Sequence, residues 1–150
     1  MWIGIGRARE NVAMRRLSGI VLAAVLAHAA PALAQAPTVA VAPAAVQKEF
    51  GEFLTKFRAA LKADDPAAVA AMTRMPFEGD EPVRDAAQFR AKIYARQFTA
   101  EKRACLQRGK AVYDRDGDNN DTYAIFCGDL IFTFTKTPKG FLFTDIGAND

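Results

Sequence analysis

TYAIFCGDLIFTFTKTPKGFLFTDI, residues 122–146, decides how this chain is read. Its three runs, 123–127, 130–135 and 141–146, are dense in aromatic and β-branched side chains, which suit a pleated, half-buried surface. Gly128-Asp129 separates the first two runs and fits a two-residue hairpin turn, because glycine accepts the positive φ such turns need. Thr137-Pro138-Lys139-Gly140 separates the last two and supplies one fixed and one permissive φ for a longer turn. The expectation is a meander of antiparallel strands whose apolar face needs a helical cover.

That cover is legible upstream. Between 46 and 62, Val46, Phe50, Phe53, Leu54, Phe57 and Leu61 recur at spacings of three and four, which puts them on one helical stripe. A Phe stripe of this kind packs on a sheet; the competing reading is a helix that lies on a membrane surface or docks a partner. Asp65 before Pro66 marks a cap and a first helical residue, so residues 67–74 read as a short second helix with Val69 and Met72 inward. Pro76 stops it and holds Met75 extended, and 78–82 is a loop. Asp85 caps a third helix running to about Gln97, with Phe89, Ile93 and Tyr94 on one face. Thr99 opens a fourth, to Gln107, that stops at Gly109; a strand beginning near Ala104 is the alternative. Residues 110–113 open a further strand.

The N-terminus carries a different signal. Met14-Arg15-Arg16 precedes a strongly apolar run, 17–27, and small residues stand at Ala32 and Ala34. This is the layout of a secretory signal peptide over residues 1–34, cleaved after Ala34, with Met14 as the expected start. The apolar core of about 11 residues is short of the ~20 needed to cross a bilayer. Residues 35–45, QAPTVAVAPAA, read as a flexible leader, and the domain proper as 46–150. The chain has 20 basic and 17 acidic residues. Cleavage removes Arg7, Arg9, Arg15, Arg16 and Glu10, which leaves the two signs equal. The basic pI therefore belongs to the precursor, and a nucleic-acid or anionic-membrane surface loses its support. The only His, His28, and the only Ser, Ser18, leave as well. The mature chain then has no Ser-His or Cys-His pair and no histidine base or ligand of its own.

Cys105 and Cys127 remain. In an oxidising compartment, an even pair in a small domain reads as a disulfide worth about 3 kcal/mol. A redox-active or free-thiol pair is the alternative, although the spacing is unlike Cys-X-X-Cys. Within residues 114–121, DRDGDNND, Asp114, Asp116, Asp118 and Asp121, with Asn119 and Asn120, are hard oxygen ligands suited to calcium. No register places glycine sixth and glutamate twelfth, so the EF-hand pattern fails, and the competing reading is a solvated hairpin tip. No metal, cofactor or catalytic set is assigned.

The order of these elements resembles the NTF2-like superfamily, an α+β fold in which N-terminal helices pack on a curved antiparallel sheet to form a cone. The resemblance rests on Phe53-Leu54-x-x-Phe57-x-x-Ala60-Leu61-x-x-x-Asp65, Met75-Pro76-Phe77, Phe89 and Gly140-Phe141-x-Phe143-x-x-Ile146, and is similar to small secreted members of unassigned function. It implies a cone lined by aromatic side chains, with Tyr94, Tyr123, Phe126 and Phe132 as the ligand-contacting set. Members include isomerases, dehydratases and non-catalytic modules, so the fold does not deliver the activity.

Three functions compete. The first is a periplasmic or secreted binding module that holds a small apolar ligand in the cone or docks a protein on its open sheet face; such a face also favours a homodimer. The second is a proton-transfer enzyme of the ketosteroid isomerase or dehydratase type, with Asp129 or Asp145 as base beside Tyr94 or Tyr123. Asp129 is also half of a turn and Asp145 an outward strand residue. The third is a secreted inhibitor or immunity-like protein that presents an acidic loop, 78–81 or 114–121. No nucleic acid, and no membrane after cleavage, is expected as a partner.

Overall fold

The structure, a computed structural model, describes residues 40–78 and 83–149. The signal peptide expected at 1–34, residues 35–39 of the leader, and all but the first residue of the loop at 78–82 lie outside the described residues.

Helix α1 (Ala44–Lys62) buries Val46, Phe50, Phe53, Phe57, Ala60 and Leu61; this is the stripe expected from the sequence, except that Leu54 is only partly buried and Ala60 joins it. It begins earlier than expected, because Pro43 already accepts the Gln47 N–H at 3.0 Å and Ala42 is buried. At its far end Asp64 takes a left-handed turn, φ 50°, which a short polar side chain tolerates. Asp65 then caps α2 (Pro66–Ala71) by accepting the N–H groups of Ala67 and Ala68 at 3.0 Å each.

Helix α2 is shorter than the 67–74 expected, because the sheet captures the chain beyond it. The Phe143 N–H donates to Met72 O, and the Arg74 N–H donates to Phe143 O, each at 2.8 Å. Thr73 thereby bridges Phe143 in parallel. The Met75–Pro76 bond is cis, and Phe77 pairs with Val83.

The third helical segment starts as expected, with Asp85 accepting the Gln88 N–H at 2.9 Å. Helix α3 (Ala86–Gln88) passes into a π-helical stretch (Phe89–Tyr94) and ends as α4 (Ala95–Gln97). The wider π repeat, which no periodicity announced, keeps Phe89, Ile93 and Tyr94 all buried. Thr99 caps α5 (Ala100–Arg108), and the strand considered near Ala104 does not form.

The sheet runs β1 (Val112–Arg115), β2 (Asp121–Cys127), β3 (Leu130–Thr137) and β4 (Gly140–Ala148), every neighbouring pair antiparallel and in chain order. Gly128 and Gly140 hold φ of 65° and 98° at the two turns, conformations that cost a side chain. A bulge opposite Thr133 and Phe134 inserts Thr144 into β4. It moves the helix-facing set from Phe141 and Phe143 to the partly buried Ile146 and adds curvature. This is the α+β arrangement expected: helices followed by a curved antiparallel sheet.

Rings make the seam between the layers. Phe50 stacks on Tyr123 with centroids 3.7 Å apart and planes 3° from parallel. Phe57 meets Phe134 at 5.2 Å and Phe143 at 5.7 Å. Each fully buried Phe contributes roughly 1.5–3 kcal/mol. Cys105 of α5 and Cys127 at the end of β2 form a disulfide with Cα atoms 5.8 Å apart, so the bridge ties helix to sheet. Lys102 strengthens the same joint, donating to Cys127 O at 2.8 Å and pairing with Asp129. Arg58 ties α1 to α5 through Leu106 O at 3.0 Å and Gly109 O at 2.6 Å.

Candidate functional site

The strand register assigns every residue of the meander to a face. Tyr123 opposes Phe134, Ile125 opposes Phe132 and Cys127 opposes Leu130, and these face the helices. Ala124 and Phe126 therefore point away from them. The four residues expected to contact a ligand in the cone do not share a surface. Phe132 is fully buried and meets the rings of Phe98 at 5.5 Å and Phe143 at 6.1 Å. Tyr123 is covered by Phe50. Tyr94 stacks on Phe98 at 4.9 Å, so it joins Phe132 through that ring. Phe126 is a correction: it lies on the opposite face, 48% exposed, because three positions along a strand reverse the direction of the side chain. Phe98, which no periodic stripe singled out, is the ring that links Tyr94 to the sheet.

The helix-facing side offers little chemistry. Among the described residues, every buried side-chain nitrogen and oxygen has a hydrogen-bond partner. The Tyr94 hydroxyl donates to Asp64 Oδ1 at 2.8 Å, and Arg103 reaches Asp64 Oδ2 at 3.1 Å. Burial, followed by the bond to the Asp64 carboxylate, pushes the Tyr94 hydroxyl up to about 12. Such a phenol stays protonated and occupied. Neither carboxylate considered as a base faces the rings. Asp129 is exposed in the β2–β3 turn, where Lys102 holds its carboxyl below the usual range. Asp145 opposes Thr133 on the outer face, where partial burial raises its carboxyl above that range, offset by the Ile146 N–H and by Arg74.

The acidic tip is scaffolded by its own groups. Asp116 Oδ1 accepts the N–H of Asp118 at 3.0 Å and of Asn120 at 2.8 Å, and Asn120 Nδ2 reaches Oδ2 at 2.9 Å. Bonding to Asn120 holds the Asp116 carboxyl below the usual range. Among the described residues no group of three or more His, Cys, Asp or Glu side chains is placed to hold a metal ion. No helix among them is long and apolar enough to cross a membrane.

The outer sheet face is different. Val112 opposes Ala124, and Phe126 opposes Ile131, which in turn opposes Gly147. Val112 is 41% exposed and Phe126 48%, and Gly147 places no side chain beside the half-buried Ile131. Beyond this apolar row stand hydroxyls: Thr122 opposes Thr135, and Thr135 bonds Thr144 at 2.9 Å. Charge enters this face at its margins, through Asp114 on β1 and Asp145 on β4. An uncharged centre with projecting apolar side chains suits contact with another surface.

No protein-family model, no curated protein and no solved structure matches the chain.

Proposed function

We propose that this chain is an exported, non-catalytic interaction module of the NTF2-like type, which docks a protein through the outer face of its sheet. The observation that carries the reading is the apolar row Val112–Ala124–Phe126–Ile131, of which Val112 and Phe126 are exposed, on an outer face whose charges, Asp114 and Asp145, stand at its margins, opposite an interior filled with rings. The order of helices before a bulged meander supports the NTF2-like assignment. The Cys105–Cys127 disulfide supports export, since such bonds persist in oxidising compartments.

The test is a photo-crosslinking residue placed at position 126 in the producing cell, with the same residue at exposed Lys56 of α1 as control. The expected result is a discrete adduct at 126, absent at 56, whose yield falls on adding Val112→Asp. A homodimer gives an adduct of twice the chain's mass; another partner gives a different single mass. Equal, diffuse labelling at both positions overturns the reading.

A further inference from the structure

A second surface feature lies at the edge of the sheet, where the chain leaving α2 meets the β3–β4 turn. There a cleft of about 510 Å³ is walled by Ala71, Met75, Pro138 and Leu142, with Arg74 and Lys139 also lining it. Its volume falls among those of small-molecule sites, roughly 300–1,000 Å³. We propose that this cleft binds a small amphipathic monoanion, a carboxylate carrying an apolar tail.

Three observations converge on that class of ligand. The lining includes two cations and no carboxylate. Among the described residues neither the Arg74 guanidinium nor the Lys139 ammonium has a hydrogen-bond or ion-pair partner; Arg74 meets Asp116 and Asp145 only as longer-range charges. A planar guanidinium matches a carboxylate fork, and an ammonium adds a point charge. The rest of the wall is mainly apolar, with Thr73 and Thr137 the two hydroxyl residues in it, so a headgroup alone would leave most of the cleft unfilled.

Both cations stand on backbone that is already fixed. Arg74 is held by the two hydrogen bonds with which the chain at 72–74 pairs Phe143. Lys139 sits in a turn closed by its own N–H donating to Thr137 Oγ1 at 3.1 Å, while Thr137 Oγ1 donates to Gly140 O at 2.8 Å. A site on fixed backbone loses less freedom when a ligand arrives. The cleft involves neither Phe126 nor Val112, so it stands or falls apart from the docking reading.

Calorimetric titration of the purified protein with decanoate, kept below its micellar concentration, tests the proposal. Decyltrimethylammonium and acetate serve as controls, and Phe126→Asp is run in parallel. The expected result is saturable one-to-one binding of decanoate that weakens with added salt. Arg74→Gln with Lys139→Gln reduces the affinity at least tenfold, and Leu142→Asp abolishes binding while the circular dichroism of each variant stays native. Phe126→Asp leaves it unchanged. Absence of saturable binding, equal binding of the cationic amphiphile, acetate binding as tight as decanoate, or indifference to the double substitution overturns it.

Discussion

Tyr94 and Asp64 lie 30 positions apart, and the hydroxyl of one donates to the carboxylate of the other at 2.8 Å. The bond joins the π-helical stretch to the corner between α1 and α2, and Arg103 of α5 grips the other carboxylate oxygen. One carboxylate thus gathers three helical elements. Its partner hydroxyl is raised to about 12 in the folded protein, against about 10 for a free tyrosine.

The sign of the pH effect follows. An acid whose folded value is raised holds its proton more tightly when folded, so its contribution is intact below pH ~10 and lost as pH rises toward 12. Tyr94→Phe is expected to destabilise by about 1.5 kcal/mol at pH 8 through the lost bond. As the unfolded wild-type phenol ionises between pH ~9.5 and ~12, the difference should change by about 2 kcal/mol, so that the gap closes and slightly reverses. Urea midpoints of both proteins across this range measure it. A gap independent of pH would show that the hydroxyl is not held in this way.

Gly109 and Gly51 should respond to alanine with opposite signs. A Cβ at Gly109 would stand 2.5 Å from Ile125 Cγ2 and 3.0 Å from Cys105 O, and Ile125 is fully buried and stiff at χ1. Gly109→Ala should cost about 1–3 kcal/mol. At Gly51, inside α1, nothing lies within 4 Å of a new Cβ, so alanine should add roughly 0.5–1 kcal/mol. Thermal or urea denaturation of the two variants reads both. Stabilisation at 109 would mean that α5 does not lie so close to β2.

What the sequence made legible was what depends on near neighbours. The α1 stripe, the caps at Asp65, Asp85 and Thr99, and the two glycine turns each follow from residues within a few positions. Parity along β2 was equally legible: Tyr123 and Phe126 cannot share a face, although the aromatic content of the run obscured it. The rest came from tertiary competition. Residues 72–74 kept helical composition, yet their backbone found partners on β4. The π repeat at 89–94 and the bulge at Thr144 answer to the packing of rings far away in sequence. The cleft beside Arg74 and Lys139 joins residues more than sixty positions apart, which no local pattern brings together.

Asp145→Asn should stabilise the protein at neutral pH. Burial raises the Asp145 carboxyl, Arg74 partly offsets this, and Glu78 adds to it. A carboxyl raised on folding resists ionising there, so the folded state loses stability as pH climbs above the unfolded value of about 3.9. The neutral amide removes that loss. The variant's advantage at pH 7 should therefore vanish as pH falls below ~4. Denaturant titrations at pH 3.5 and 7 suffice, and an advantage that grows in acid would reverse the assignment.

Phe132 and Phe126 offer the sharpest contrast between core and surface, being the same residue type on facing strands of one sheet. Phe132 is fully buried and meets Phe98 and Phe143, so Phe132→Ala leaves a cavity that close-packed rings cannot refill. The expected loss is about 3–5 kcal/mol. Phe126, on the outer face, should change stability by less than ~0.5 kcal/mol on truncation to alanine, because its ring leaves little packing behind. If the outer face is a docking surface, the order inverts for association: Phe126→Ala lowers the crosslinking yield of a probe at position 112, which the fold itself does not require. Equal stability losses at the two positions would mean that Phe126 is covered within the monomer, and the outer face would then have no free apolar row to offer a partner.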